Sequence, residues 1–185
     1  MYIANIVDTV MFRSLGKQPN THLQSLKRAV KAAETELWVP ATIYRELADY
    51  GEGSPVNPYL DHAIGEGWVR VATPLPGDRS DDFDAVDDPV AKARHLTDAS
   101  LNQQSKYPET NNWRDVSLVA LTVRLFERNA RIRVITHTAD EGLAKTCARI
   151  PPEFGYHEIR SRYYNPPQTA KHDFPTADSL TWDGP

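Results

Sequence analysis

The chain has 185 residues, 40% hydrophobic and 25% charged, the proportions of one ordinary globular domain with enough length to bury a core. Its formal net charge of −4 excludes nucleic-acid binding by bulk positive charge, so any such contact has to use local Lys/Arg patches or metal ions that offset the acids. No run is apolar and long enough to cross a membrane, the first residues lack the basic region and apolar block of a signal peptide, and the single cysteine, Cys147, excludes an internal disulfide framework and fits a reducing cytoplasm.

In chain order, residues 2–7 (YIANIV) read as a short buried strand, and Asp8 ends it. An acid at the C-terminal end of a first strand lies where open α/β sheets bind ligands, although a turn Asp bonding its own backbone uses the same position. Leu23, Leu26, Val30 and Ala33 mark one face of a helix reaching about residue 34. Residues 37–39 (LWV) form the next strand, Pro40 ends it, and a helix follows with Ile43, Leu47 and Tyr50 as its apolar stripe. Glu46 stands beside that stripe, either at its edge or as a solvated surface acid. Residues 58–64 suggest a short helix and 68–72 (WVRVA) a strand. The Asp-rich stretch 74–88 reads as a loop, closed by Asp88-Pro89 in the cap and first positions of a helix over 90–102.

Residues 113–140 (WRDVSLVALTVRLFERNARIRVITHTAD) carry the most information. Val116, Val119, Ala120 and Val123 recur at helical spacing, and Leu118, Leu121 and Leu125 form a second apolar row, so this helix is buried on two sides. Asp115 opens it. Residues 131–138 then read as a strand, and Thr138-Ala139-Asp140 leads into a helix that ends at Pro151-Pro152. Both acids suit helix starts for the macrodipole alone, and Thr138 with Glu141 fits a capping box. Residues 156–163 alternate as an edge strand, and 165–185 reads as a tail with no core of its own. The order βα, βα, inserted region, αβ, αβ argues a parallel, doubly wound sheet, whose rim would bring Asp115 and Asp140 across one crevice.

Asp8 in IVDT, Glu46 in WVPATIYREL, Asp115 in RDVSLVALT and Asp140 in VITHTAD resemble, in order and placement, the PIN domain family over most of residues 2–149. The resemblance implies a three-layer α/β/α fold with a mostly parallel central sheet. It sets residues 1–164 as the nuclease domain, with an insertion over about 51–113, and 165–185 as an extended C-terminal tail. It also implies a metal-dependent ribonuclease, often the VapC-type toxin of a toxin–antitoxin pair, with RNA as substrate and an antitoxin protein or a second copy of the chain as partners. The long segment after Glu46 and the tail depart from a minimal toxin.

The residues support the chemistry independently of the family. Carboxylates without His or Cys companions are hard oxygen ligands, suited to Mg²⁺ or Mn²⁺ rather than zinc. Asp8 and Asp115 are the first choices as direct ligands, Asp140 binds directly or through water, and Glu46 ligates or orients the attacking water. Thr138 supports Asp140 or the scissile phosphate, and Arg13, Lys17, Arg45 and Arg114 stand close enough in sequence to hold flanking phosphates. A haloacid-dehalogenase-type phosphatase would want a second acid two residues after Asp8, where Val10 stands. The competing reading of another class is a PIN-like module that binds RNA or protein without cleaving.

Overall fold

Five short segments become the strands of one sheet: β1 (Ile3–Val7), β2 (Leu37–Val39), β3 (Val69–Val71), β4 (Arg133–Thr138) and β5 (Ile159–Tyr163). They lie in the order β3-β2-β1-β4-β5, and every neighbouring pair is parallel. The helices are α1 (Thr21–Ala32), α2 (Ala41–Ala48), α3 (Pro58–Gly65), α4 (Pro89–Gln104), α5 (Trp113–Arg128) and α6 (Glu141–Arg149). This computed structural model describes residues 2–8, 11–12, 21–48, 58–75, 88–104, 113–165 and 175–183, without the side chains of 21, 46–48, 58–59, 104 and 113–114. The sheet with helices around it is the three-layer α/β/α arrangement that the alternating pattern implies. No helix among the described residues is long and apolar enough to cross a membrane.

The strands are short and nearly continuous in apolar residues because both faces of the sheet are covered. Ala4, Ile6, Val7, Leu37, Val39 and Val134 are all fully buried. Helix α5 shows the two-sided burial that its two apolar rows demand, with Val116, Leu118, Val119, Ala120, Val123 and Phe126 all at 2% exposure or less. Helix α4 packs along α5 and touches α6. Its start matches the reading of Asp88-Pro89, since the Asp88 carboxylate accepts from the Val90 amide at 3.0 Å. The segment set apart in the sequence as an insertion therefore supplies both an edge strand and a packed helix.

The C-terminal segment corrects an expectation. Residues 175–183 are not a tail apart from the core. Pro175 is buried, and Leu180 is 1% exposed within the main hydrophobic cluster. The Leu180 carbonyl accepts from Asn5 Nδ2 of the central strand at 3.1 Å. Trp182 sits beside the guanidinium groups of Arg133 and Arg160, 4.9 and 4.6 Å from its ring centre. One leucine, one carbonyl and one indole dock the segment, and none of them produces periodicity.

Candidate active site

Side chains alternate along parallel strands, so Ala4, Ile6 and Asp8 of the first strand share one sheet face with Thr136 and Thr138 of β4, while Asn5 and His137 share the other. Asp8 and Thr138 meet on the first of these faces, at the C-terminal rim of the strands. Asp8 follows β1 directly and is only 2% exposed. Its amide donates to the His137 carbonyl at 3.1 Å, and its Oδ2 accepts from Thr138 Oγ1 at 2.8 Å. Thr138 Oγ1 in turn accepts from the Asp140 amide at 3.0 Å. One hydroxyl thus ties the acid after β1 to the turn after β4.

Asp140 caps α6. Its backbone is extended, and its Oδ1 accepts from the Leu143 amide at 2.8 Å. This corrects the reading of Thr138 as the cap of a capping box. Thr138 is the last residue of β4, and helical backbone starts only at Glu141, so the residue placed to reach the third amide is Asp140. The cap leaves the second Asp140 oxygen for other use. Asp115 lies in the first turn of α5 and is half-buried. Two helix N-termini therefore present acids on the same rim.

Cys147 is fully buried on α6. Burial pushes its thiol well above the usual range, and the negative charges of Asp8, Asp115 and Asp140 push the same way, against a hydrogen bond with Thr136. The thiol therefore stays protonated and unfit as a nucleophile.

Glu46 lies in the last turn of α2, with its side chain outside the described residues. That helix packs against α5, and at their contact the buried hydroxyls of Thr42 and Ser117 bond each other. Arg45 is half-buried on the same helix, and Arg114 is on the first turn of α5 with its side chain not described. Arg13 and Lys17 lie outside the described residues. Among the described residues no three His, Cys, Asp or Glu are arranged to hold a metal ion by themselves.

A buried network on the opposite sheet face braces this rim. Asn5 Nδ2 donates to Thr35 Oγ1 and to the Leu180 carbonyl, both at 3.1 Å, which turns Asn5 Oδ1 toward His137 Nε2 at 2.9 Å. Nδ1 lies 2.8 Å from the Tyr164 hydroxyl, which donates to Ser179 Oγ at 3.2 Å. The sequence does hold a signal for this pair. Asn5 and His137 are polar residues inside strands that otherwise read as buried.

Burial lowers the His137 pKa to about 3, and the charge of Arg162 adds to that. The folded value lies below the unfolded one, so the unfolded chain binds more protons between the two. Stability from this group is complete above pH 6.5 and is lost as pH falls toward 3. Urea unfolding at several pH values is expected to show a loss of up to about 1.4 kcal/mol per pH unit in that window. His137→Asn should flatten the slope, and an unchanged slope in that variant would assign it to other groups.

No curated protein matches the chain closely enough to count as a relative. Residues 1–172 match the family model described as Halobacterial PIN domain. PIN domains are generally nucleases, and the parallel sheet with helices around it fits that fold. With nearly the whole chain matched, the protein belongs to the halobacterial PIN domain family.

Proposed function

We propose that the protein is a ribonuclease that hydrolyses RNA phosphodiester bonds with Mg²⁺ or Mn²⁺ held by its acid cluster. The observation that supports this reading is the link at the sheet rim, where Thr138 donates to the buried Asp8 carboxylate and accepts from the amide of Asp140, with Asp115 at the start of α5 as the third acid. The donor set fits these ions in kind, because it is all oxygen. It fits in number as well: Mg²⁺ takes one or two carboxylates and keeps several waters, so three protein ligands on one ion are not needed.

In this reading Asp8 and Asp115 ligate directly. Asp140 uses the oxygen left by its helix cap, directly or through water, and Glu46 ligates or orients the attacking water. The bound ion would lower the pKa of a water and stabilise the leaving oxygen. Thr138 keeps Asp8 oriented by donating to Oδ2. No side chain acts as nucleophile, in agreement with the protonated Cys147 thiol. Service as the toxin of a toxin–antitoxin pair is a narrower proposal and calls for an antitoxin protein encoded beside this chain.

Millimolar Mn²⁺ or Mg²⁺ is expected to raise the melting temperature, since a ligand at 100 times its Kd adds about 2.7 kcal/mol to the native state. Asp8→Asn should remove most of that increment. An unchanged melting temperature with both ions would count against the metal site.

A further inference from the structure

Strand β5 brings to the acid rim a side chain that the reading above does not use. Its register with β4 pairs Val134 with Ile159, Thr136 with Ser161 and Thr138 with Tyr163, and the hydroxyls of Thr136 and Ser161 bond each other at 2.9 Å. Partners in register point to the same side of a sheet, so Tyr163 stands on the face of Thr138 and Asp8. The pairing holds to the end of the strand, where the Tyr164 amide donates to the Thr138 carbonyl at 3.0 Å. Asp8, Thr138 and Tyr163 thus form one row across the C-terminal rim, and two strand spacings of about 4.8 Å separate the first from the last. That is the span of a nucleotide from its phosphate to the far edge of its base.

The row is open at its Tyr163 end. Asp8 and Thr138 are 2% and 0% exposed, whereas Tyr163 is 44% exposed. Asp140, two residues after Thr138, is exposed as well, so a molecule seated on Asp140 has the ring within reach. Among the described residues Tyr2 is the one other large apolar side chain so open to water. It precedes β1 at the opposite end of the sheet, and its hydroxyl donates to Glu36 at 2.9 Å.

We propose that the Tyr163 ring stacks on the base of a nucleotide whose phosphate lies at the acid cluster, which directs the chain to single-stranded RNA. The proposal rests on the ribonuclease reading above and adds a contact to the substrate's base. The chemistry of the row fixes the occupant. Its acid end suits a phosphate through a metal ion, and its other end is an aromatic face, the surface on which an unpaired base stacks. Stacking needs no positive patch. The nearby acid Glu141 is already paired with Lys145 at 2.7 Å. In a duplex the bases stack on one another, so the contact selects for strandedness, and since every base has such a face it adds affinity without reading sequence.

The test uses the full chain with Asp8→Asn, which keeps the RNA intact, and a fluorescent pool of short single-stranded RNAs titrated in Mn²⁺ at several salt concentrations. Adding Tyr163→Ala is expected to weaken binding roughly tenfold, while Tyr163→Phe and Tyr163→Trp keep it. Tyr163→Leu, apolar but without a ring, should lose as much as alanine. The slope of log K against log salt should stay the same in all four, because a stack releases no counterions. Binding of duplex RNA of the same length should not respond to the alanine change. In the chain with Asp8 intact, Tyr163→Ala should show the parental Mn²⁺-induced rise in melting temperature. A parent without that rise would count against the ribonuclease reading and not against the stack, which the titrations measure by themselves. Equal affinity of the alanine variant and its Asp8→Asn parent would overturn the proposal and leave the ring to a protein partner. So would a loss in Tyr163→Phe as large as in Tyr163→Ala, which would give the contact to the hydroxyl.

Discussion

Asp140→Asn is expected to lower RNA cleavage roughly 100-fold or more while leaving the metal-free protein almost as stable as the parent. The two effects separate because Asp140, the cap of α6 in the structure, is also a metal ligand in the proposed site. As the cap of α6 it accepts from the Leu143 amide, and asparagine caps about as well as aspartate. The charge at the helix start contributes about 0.3–1 kcal/mol, and losing it is offset by relief of repulsion from Asp8 and Asp115. As a metal ligand, by contrast, it supplies charge that asparagine does not replace. Urea unfolding without metal and a cleavage time course with Mn²⁺, on the same preparation, measure both. A variant that is less stable yet cleaves at the parental rate would leave Asp140 as a helix cap alone.

Leu180→Ala is expected to cost about 2–5 kcal/mol, the range for a fully buried leucine whose site does not collapse. Leu180 is 1% exposed and packs in the main cluster. Deleting residues 175–185 should cost at least as much, because Asn5 would lose an acceptor for its buried amide and Tyr164, which bonds His137, would lose Ser179. The sequence alone implies the opposite, a removable tail whose loss stays within about 0.5 kcal/mol, the usual range for surface changes. Denaturant midpoints of the two variants decide between them, and a deletion within that small range would show that the segment only rests on the surface.

The sheet was legible because its strands are short apolar runs bounded by prolines, polar turns and helix starts, and the helices because their apolar rows keep a 3.6-residue period. Asp8, Asp115 and Asp140 were legible for a related reason. Each stands at a strand end or a helix start, and in a parallel sheet those positions share one rim. Other features rest on contacts that no local pattern encodes. The docked segment holds one aliphatic anchor, and its partners lie far off in sequence, Asn5 175 residues from Leu180 and Arg133 49 from Trp182. Only the fold brings Arg70 of β3 to the same concavity as Arg124 and Arg128 of α5. At Thr138 the motif was visible but its use was misread. The hydroxyl that resembles a helix cap is spent on Asp8, one strand across the sheet.

Cleavage of pooled RNA by the purified chain, with and without Mn²⁺ and beside Asp8→Asn, tests the central claim most directly. Asp8 is the most buried of the three described acids and the one that Thr138 holds in place. Metal-dependent cleavage by the parent that is lost with chelator, and lost again in Asp8→Asn at unchanged fold, is the predicted result. Cleavage that persists in Asp8→Asn, or a folded, metal-loaded parent that binds RNA and leaves it whole, would contradict the account.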